Sequence, residues 1–212
     1  MKSVRLLLIS LSLLTVLSTS TSAQRRSYPP PLPGAFELIE PRTKLEEFEA
    51  RVETVLVTGS SRVAIMNAQP GTIRVDALEV KDTLNGGRAT GIVIIVRDGR
   101  RPAEGARPPD VRRAFDPGSR ALVDYEEIDA LIKALDTVAK ADETVTKHTR
   151  FDVRYRTRGD FEVIVFRQTT GGNAAAVSAG YFEKETLLLS LDELTRLRHM
   201  IQEAKVRLDE LK

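Results

Sequence analysis

Residues 72–97 read TIRVDALEVKDTLNGGRATGIVIIVR, and this stretch decides the fold. In residues 72–82, Ile73, Val75 and Ala77 share one face, the two-residue period of a strand. In residues 88–97 the run Ile92 to Val96 is apolar without a break, which predicts a strand covered on both faces. Asn85-Gly86-Gly87 accepts positive φ, so the two strands are expected to form an antiparallel hairpin.

Upstream the pattern is ambiguous. Thr43 and Glu46 fit a capping box, and Leu45 and Phe48 have helical spacing. Phe48, Ala50, Val52, Thr54 and Leu56 also alternate as a strand would. The reading adopted is a strand through 52–58, preceded by a short helix or a strand extension. Downstream, residues 98–119 are a Pro/Gly/Arg-rich loop with Arg100, Arg101, Arg107, Arg112 and Arg113, read as a mobile insertion or an anion-binding flap. A strand at 120–123 then leads into a helix at about 125–141.

The same order repeats. Residues 149–158 alternate, with Phe151, Val153, Tyr155 and Thr157 on one side and Arg150, Asp152, Arg154, Arg156 and Arg158 on the other. Gly159-Asp160 turns the chain into Phe161–Arg167, and Gly171-Gly172-Asn173 turns it into 174–182. A strand at 185–189 enters a helix from 191 nearly to the end. Asp124-x-x-Glu127 and Ser190-x-x-Glu193 each fit a capping box at a helix start. The fold class is therefore α+β: two tandem β-β-β-β-α units, about 52–141 and about 147–212, with mostly antiparallel sheets and two helices packed on them. Ile128, Leu131, Leu135 and Val138, and likewise Leu194, Leu197, Ile201, Ala204, Leu208 and Leu211, run in steps of three and four. Such a seam suits either two helices packed together or a helix lying on a sheet.

Residues 1–23 have the three parts of a secretory signal: Lys2 and Arg5, the apolar run Leu6 to Leu17, and small residues Thr21 and Ala23 before a cleavage point. The run is too short for a membrane span, which takes about 20 apolar residues. The small residues favour cleavage over a retained anchor, and the absence of cysteine excludes a lipid-anchored form and all disulfides. The expected location is the periplasm or the extracellular space. Residues 24–41 carry Pro29, Pro30, Pro31, Pro33 and Pro41 and read as an extended tether, with Phe36, Leu38 and Ile39 able to dock on the domain edge. The single α+β domain is 42–212.

Loss of 1–23 removes two bases and no acid, which leaves 30 of each and no global basic field. The Arg row (Arg150, Arg154, Arg156, Arg158, with Arg167 from the neighbouring strand) is the candidate anion-binding site, for a phosphate backbone or another polyanion. The competing reading is a solvated outer sheet face with Asp152 and Glu162 as cross-strand partners. Phe151 and Tyr155 alternate to the other side, and export removes most nucleic-acid partners. His148 and His199 stand far apart in a Cys-free chain, which argues against a metal site. Gly59-Ser60-Ser61 lacks the pattern of a nucleophile elbow, and Gly171-Gly172 lacks the Lys-Ser/Thr of a phosphate loop. Glu126, Glu127, Asp129 and Asp136 lie on the polar side of a helix. No cofactor is expected, and the reading is non-catalytic.

The element order, carried by Phe151–Lys205 and by Thr72–Lys140, resembles the Whirly and PC4-like single-stranded-DNA-binding fold. That resemblance implies a Whirly-like polyanion or nucleic-acid binder as the alternative function. Val123-Asp124-Tyr125-Glu126-Glu127-Ile128-Asp129 and Leu189-Ser190-Leu191-Asp192-Glu193-Leu194 resemble exported bacterial proteins of no assigned function, which implies no chemistry. The preferred reading is an exported binding or structural protein whose partner is another protein or itself. A homodimer would form through the 191–211 helix or an open sheet edge.

Overall fold

The computed structural model describes residues 40–211, apart from 69, 100–118, 143, 145, 170, 182 and 183. The signal, the greater part of the tether with Phe36, Leu38 and Ile39, and nearly all of the 98–119 loop lie outside these residues. A short helix α1 (Lys44–Glu49) precedes β1 (Leu56–Ala68), β2 (Gly71–Asp82), β3 (Arg88–Arg97) and β4 (Ser119–Asp124). One 3₁₀ turn (Tyr125–Glu127) enters α2 (Ile128–Ala139). Then follow β5 (Asp152–Arg156), β6 (Glu162–Arg167), β7 (Asn173–Ala179), β8 (Glu185–Leu189) and α3 (Leu191–Asp209). The strands make two four-stranded antiparallel sheets, each in sequential order. The α+β class and the two similar sheet units are as the sequence predicts.

The hairpin that anchors the reading pairs Thr72 with Arg97 and Lys81 with Arg88. Gly86 and Gly87 take φ of 76° and 105°, which side chains tolerate poorly. Ile92, Ile94 and Val96 point into the main core, while Val93 and Ile95 point the other way into a second cluster under α1. β3 is therefore covered on both faces. Leu45 and Phe48 of α1 close that second cluster over Leu78, Val80, Ala89 and Leu122.

Two expectations need correction here. The strand expected at 52–58 begins only at Leu56 and runs to Ala68, and 44–49 is helix. The residues 59–68 pair along β2, with a register shift between Arg62 and Ala64 that marks a bulge. Asp124 does not cap the helix that follows it, since no side-chain cap bond is made there. Its buried carboxylate accepts instead from the amides of Lys44 (2.9 Å) and Leu45 (3.1 Å) at the start of α1. The Ser190–Glu193 and Thr43–Glu46 capping boxes are both formed.

The helices are exchanged between the units. α3 lies chiefly across β1, β2 and β3, whereas α2 lies on β5 and β6, and the two helices pack on each other. They run antiparallel. Asp136 bonds Arg198 (3.1 Å), and one heptad away Asp129 meets Lys205 (3.3 Å). A further step brings Tyr125 Oη to Asp209. Both offered readings of the seam thus hold together. Leu194, Leu197, Ile201, Ala204 and Leu208 are all buried in one core with Leu131, Leu135 and Phe161. The seam from Leu194 to Leu208 therefore lies in the protein's own core, while Leu211 at its end is exposed.

Asp82 fastens the first sheet's far corner. Its buried carboxylate accepts from Thr54 Oγ1, the amides of Asn85 (2.8 Å) and Leu84 (3.1 Å), and Arg51 Nη1 (2.8 Å). The Thr54 bond, then those from Asn85, Arg51 and Leu84, hold the carboxyl far below the usual carboxylate range. A depressed folded pKa adds stability above the unfolded value near 4, and that stability is lost as pH falls through the folded one. Asp82→Asn should therefore be weaker than the parent at neutral pH but lose less between about pH 5 and about pH 2. Urea midpoints across that range check this, and parallel losses in both chains would contradict it.

Candidate functional site

Sheet register decides what the arginine row is. Asp152, Arg154 and Arg156 stand opposite Phe166, Ile164 and Glu162, and these in turn stand opposite Ala174, Ala176 and Ser178. Leu188 and Thr186 of β8 complete the rows. These residues share the second sheet's outer face, since the alternate set (Val163, Val165, Ala175, Val177, Leu187) fills the core. Arg154 and Arg156 are thus brought together. Arg150 precedes β5 and is exposed, and Arg158 sits in the β5–β6 turn. Arg167 pairs with Asn173 and has the parity of Val163 and Val165, so it lies on the side of Phe151, away from Arg154. There it lines an open hollow of about 400 Å³ with Thr146, Lys147, His148 and Thr149.

Carboxylates meet most of this row. Arg156 reaches Asp160 at 2.9 Å, and Arg154 lies 3.6 Å from Glu162 and 3.8 Å from Asp152. Arg158 lies 3.5 Å from Glu127 and 3.7 Å from Asp124, and its amide donates to Glu127 Oε1 at 3.0 Å. Asp160 also takes both hydrogen bonds of Arg42, whose guanidinium stacks 4.4 Å above the Tyr181 ring. Burial works against the charged form of Glu162. The hydrogen bond from Lys184, with the charges of Lys184, Arg154 and Arg156, outweighs it and holds the carboxyl below its ordinary value. The row is therefore a charge-balanced lattice and not a positive track.

Between those charges the face is apolar. Ile164, Phe166 and Ala176 are half-buried, and Leu188 is 57% exposed. The equivalent face of the first sheet lies under α1 across β2, β3 and β4, and is open at Ile65 of β1. No element among the described residues covers the second in that way. Phe166 is the feature that alternation within single strands missed. Counting back from the Gly159-Asp160 turn, which places Glu162 opposite Arg156, was enough to put Phe166 on the arginine side.

The remaining candidates disperse. His148 and His199 are both exposed, one before β5 and the other on α3, and no metal-binding group of side chains occurs among the described residues. Gly59, Ser60 and Ser61 are strand positions on the β1 edge. Glu126 pairs with Lys44, Glu127 with Arg158, Asp129 with Lys205 and Asp136 with Arg198. These carboxylates bind elements together. Comparison of the chain with protein-family models, with curated proteins and with solved structures returned no match.

Proposed function

We propose that this is an exported, non-catalytic binding protein that meets a protein partner through the outer face of its second sheet. The single observation that carries the reading is the difference between two like sheets. Leu45 and Phe48 cover the β2–β4 part of one outer face and leave Ile65 of β1 exposed; the other, with no such cover among the described residues, presents Ile164, Phe166, Ala176 and Leu188, flanked by Arg154 and Arg156. Apolar centres with aromatic and arginine residues are typical of protein interfaces. Export rests on the charged, apolar and small-residue parts of 1–23, and the mature chain is expected to begin at Gln24.

The second reading, a Whirly-like polyanion binder, draws support from the element order and from Phe166 beside the arginines. The balanced charge of the row speaks against it. A photoreactive residue at Thr186, exposed beside Leu188, tests both. In producing cells it should give one discrete protein adduct, reduced at least tenfold by Leu188→Asp. Absence of the adduct, with heparin retention that falls steeply with salt and is lost in Arg154→Ala/Arg156→Ala, would transfer the function to polyanion binding.

A further inference from the structure

The β1 corner of the first sheet carries a second surface, independent of the open face of the second sheet. Six of the nine large apolar side chains that stand exposed among the described residues gather there: Val52, Val55, Val57, Leu84, Val206 and Leu211. Thr83 binds the Val55 carbonyl through both its amide and its hydroxyl (3.0 Å each), which ties the β2–β3 turn to the start of β1. Arg88 donates to the Leu211 carbonyl (3.2 Å), which ties in the end of α3.

The strand at this corner is an edge. Among the described residues β1 pairs only with β2. From Leu56 to Ser61 it has six consecutive residues without charge or proline, and Thr54 and Val55 just before it carry none either. Uncharged edges are where chains pair with one another, and folded proteins usually guard them. One edge strand of the second sheet, β5, is guarded, being short and carrying Asp152, Arg154 and Arg156. β1 is guarded only beyond Ser61, where the bulge between Arg62 and Ala64 interrupts the straight ladder.

We infer that β1 pairs with β1 of a second copy of this chain, antiparallel and centred near Gly59, to make one continuous eight-stranded sheet. A two-fold axis there sets Thr58 opposite the partner's Ser60 and Val57 opposite the partner's Ser61. Hydroxyl and β-branched residues pair well across strands, and no like charges are opposed. Val57 has the parity of Ser61 and Ala77, so it faces the side on which α3 lies. Beside Ser61 on that side is a groove of about 490 Å³ between β1 and α3, with Val63 and Val206 in its wall. The partner's Val57 enters this groove, and the exchange is reciprocal. The rim holds Arg62 and Arg207 against Glu203 and Glu210, two charges of each sign, so it complements itself across the axis.

Because the chain has no cysteine, Gly59→Cys is a clean probe, and the site has nothing within 4 Å of an added Cβ. Directly opposed residues in an antiparallel pair have Cα atoms about 4.5–5.5 Å apart, within disulfide reach. The mature chain should be a dimer by light scattering at micromolar concentration. Gly59→Cys should cross-link in mild oxidant at least tenfold faster than Ile65→Cys, an exposed position on the outer face beyond the bulge. Val57→Asp should weaken the dimer at least tenfold without changing the thermal midpoint of the monomer. A monomeric parent, a dimer that survives Val57→Asp, or equal cross-linking at both cysteines would each overturn the inference.

Discussion

Asp124→Ala is expected to lower the unfolding free energy by about 3 kcal/mol, because it strips a buried charged acceptor from two amides and a guanidinium at once. Asp124 ends β4 and is 1% exposed. α1 has only six residues, too few to hold itself as a helix in water. Its first four amides are nonetheless all satisfied. Lys44 and Leu45 donate to the two oxygens of Asp124, Glu46 donates to Thr43 Oγ1 (3.1 Å), and Glu47 donates to the Thr43 carbonyl (3.0 Å). Half of that accounting rests on one side chain 80 residues away. Arg158, 3.7 Å from the same carboxylate, joins the second unit to the arrangement. Without Asp124, Leu45 and Phe48 lose their seat over Leu78, Val80 and Ile95. Asp124→Asn keeps one acceptor and loses the charge, and should cost about half as much. Urea unfolding gives the magnitude, and exchange of the Leu45 amide shows whether α1 opens first. A loss below about 1 kcal/mol with that amide still protected would mean α1 is held by apolar contact alone.

That residue also marks the boundary of what the sequence shows. Asp124-x-x-Glu127 is, locally, the same signal as Ser190-x-x-Glu193. Only the second behaves as a capping box, because only the first has a helix start from elsewhere in the chain packed against it. The β3 run was legible because five consecutive Ile and Val residues leave no polar face. β1 was half missed for the converse reason. As an edge strand it needs no continuous apolar face, and Gly59-Ser60-Ser61-Arg62 looks like a turn until β2 is laid beside it. The order of elements predicts two sheets and two helices but not which helix lies on which sheet. The steps of three and four in α3 suit a sheet and a helix equally, and α3 uses them for both.

The candidate face was legible in its charges and not in its apolar centre. Alternation in 149–158 put Arg154 and Arg156 together, and the structure keeps them so. Placing Arg167 with them failed on parity, since residues of neighbouring strands share a face only if the turn between them fixes the register. Arg156 opposite Glu162 sends odd-numbered β6 residues inward and Phe166 outward.

Leu197→Ala is expected to cost about 3–4 kcal/mol, whereas Arg198→Ala, its neighbour on the same turn, should cost less than about 1 kcal/mol. Leu197 is fully buried in the core that both sheets and both long helices share. Truncation there loses the transfer energy of three carbons and leaves a cavity that rigid strands on either side cannot close. Arg198 reaches Asp136 through two hydrogen bonds (3.1 and 3.2 Å), a good geometry, but the side chains are 25% and 48% exposed. Water competes for such a pair, and ordering two flexible chains offsets much of the attraction. The pair therefore sets the antiparallel alignment of α2 and α3 more than it stabilises the contact. Exchanging its charges, Asp136→Arg with Arg198→Asp, should restore most of what either single reversal loses, as judged by a double-mutant cycle. If Arg198→Ala instead matched Leu197→Ala, the helices would be joined by charge at their rim, and the shared core would not be what holds the two units together.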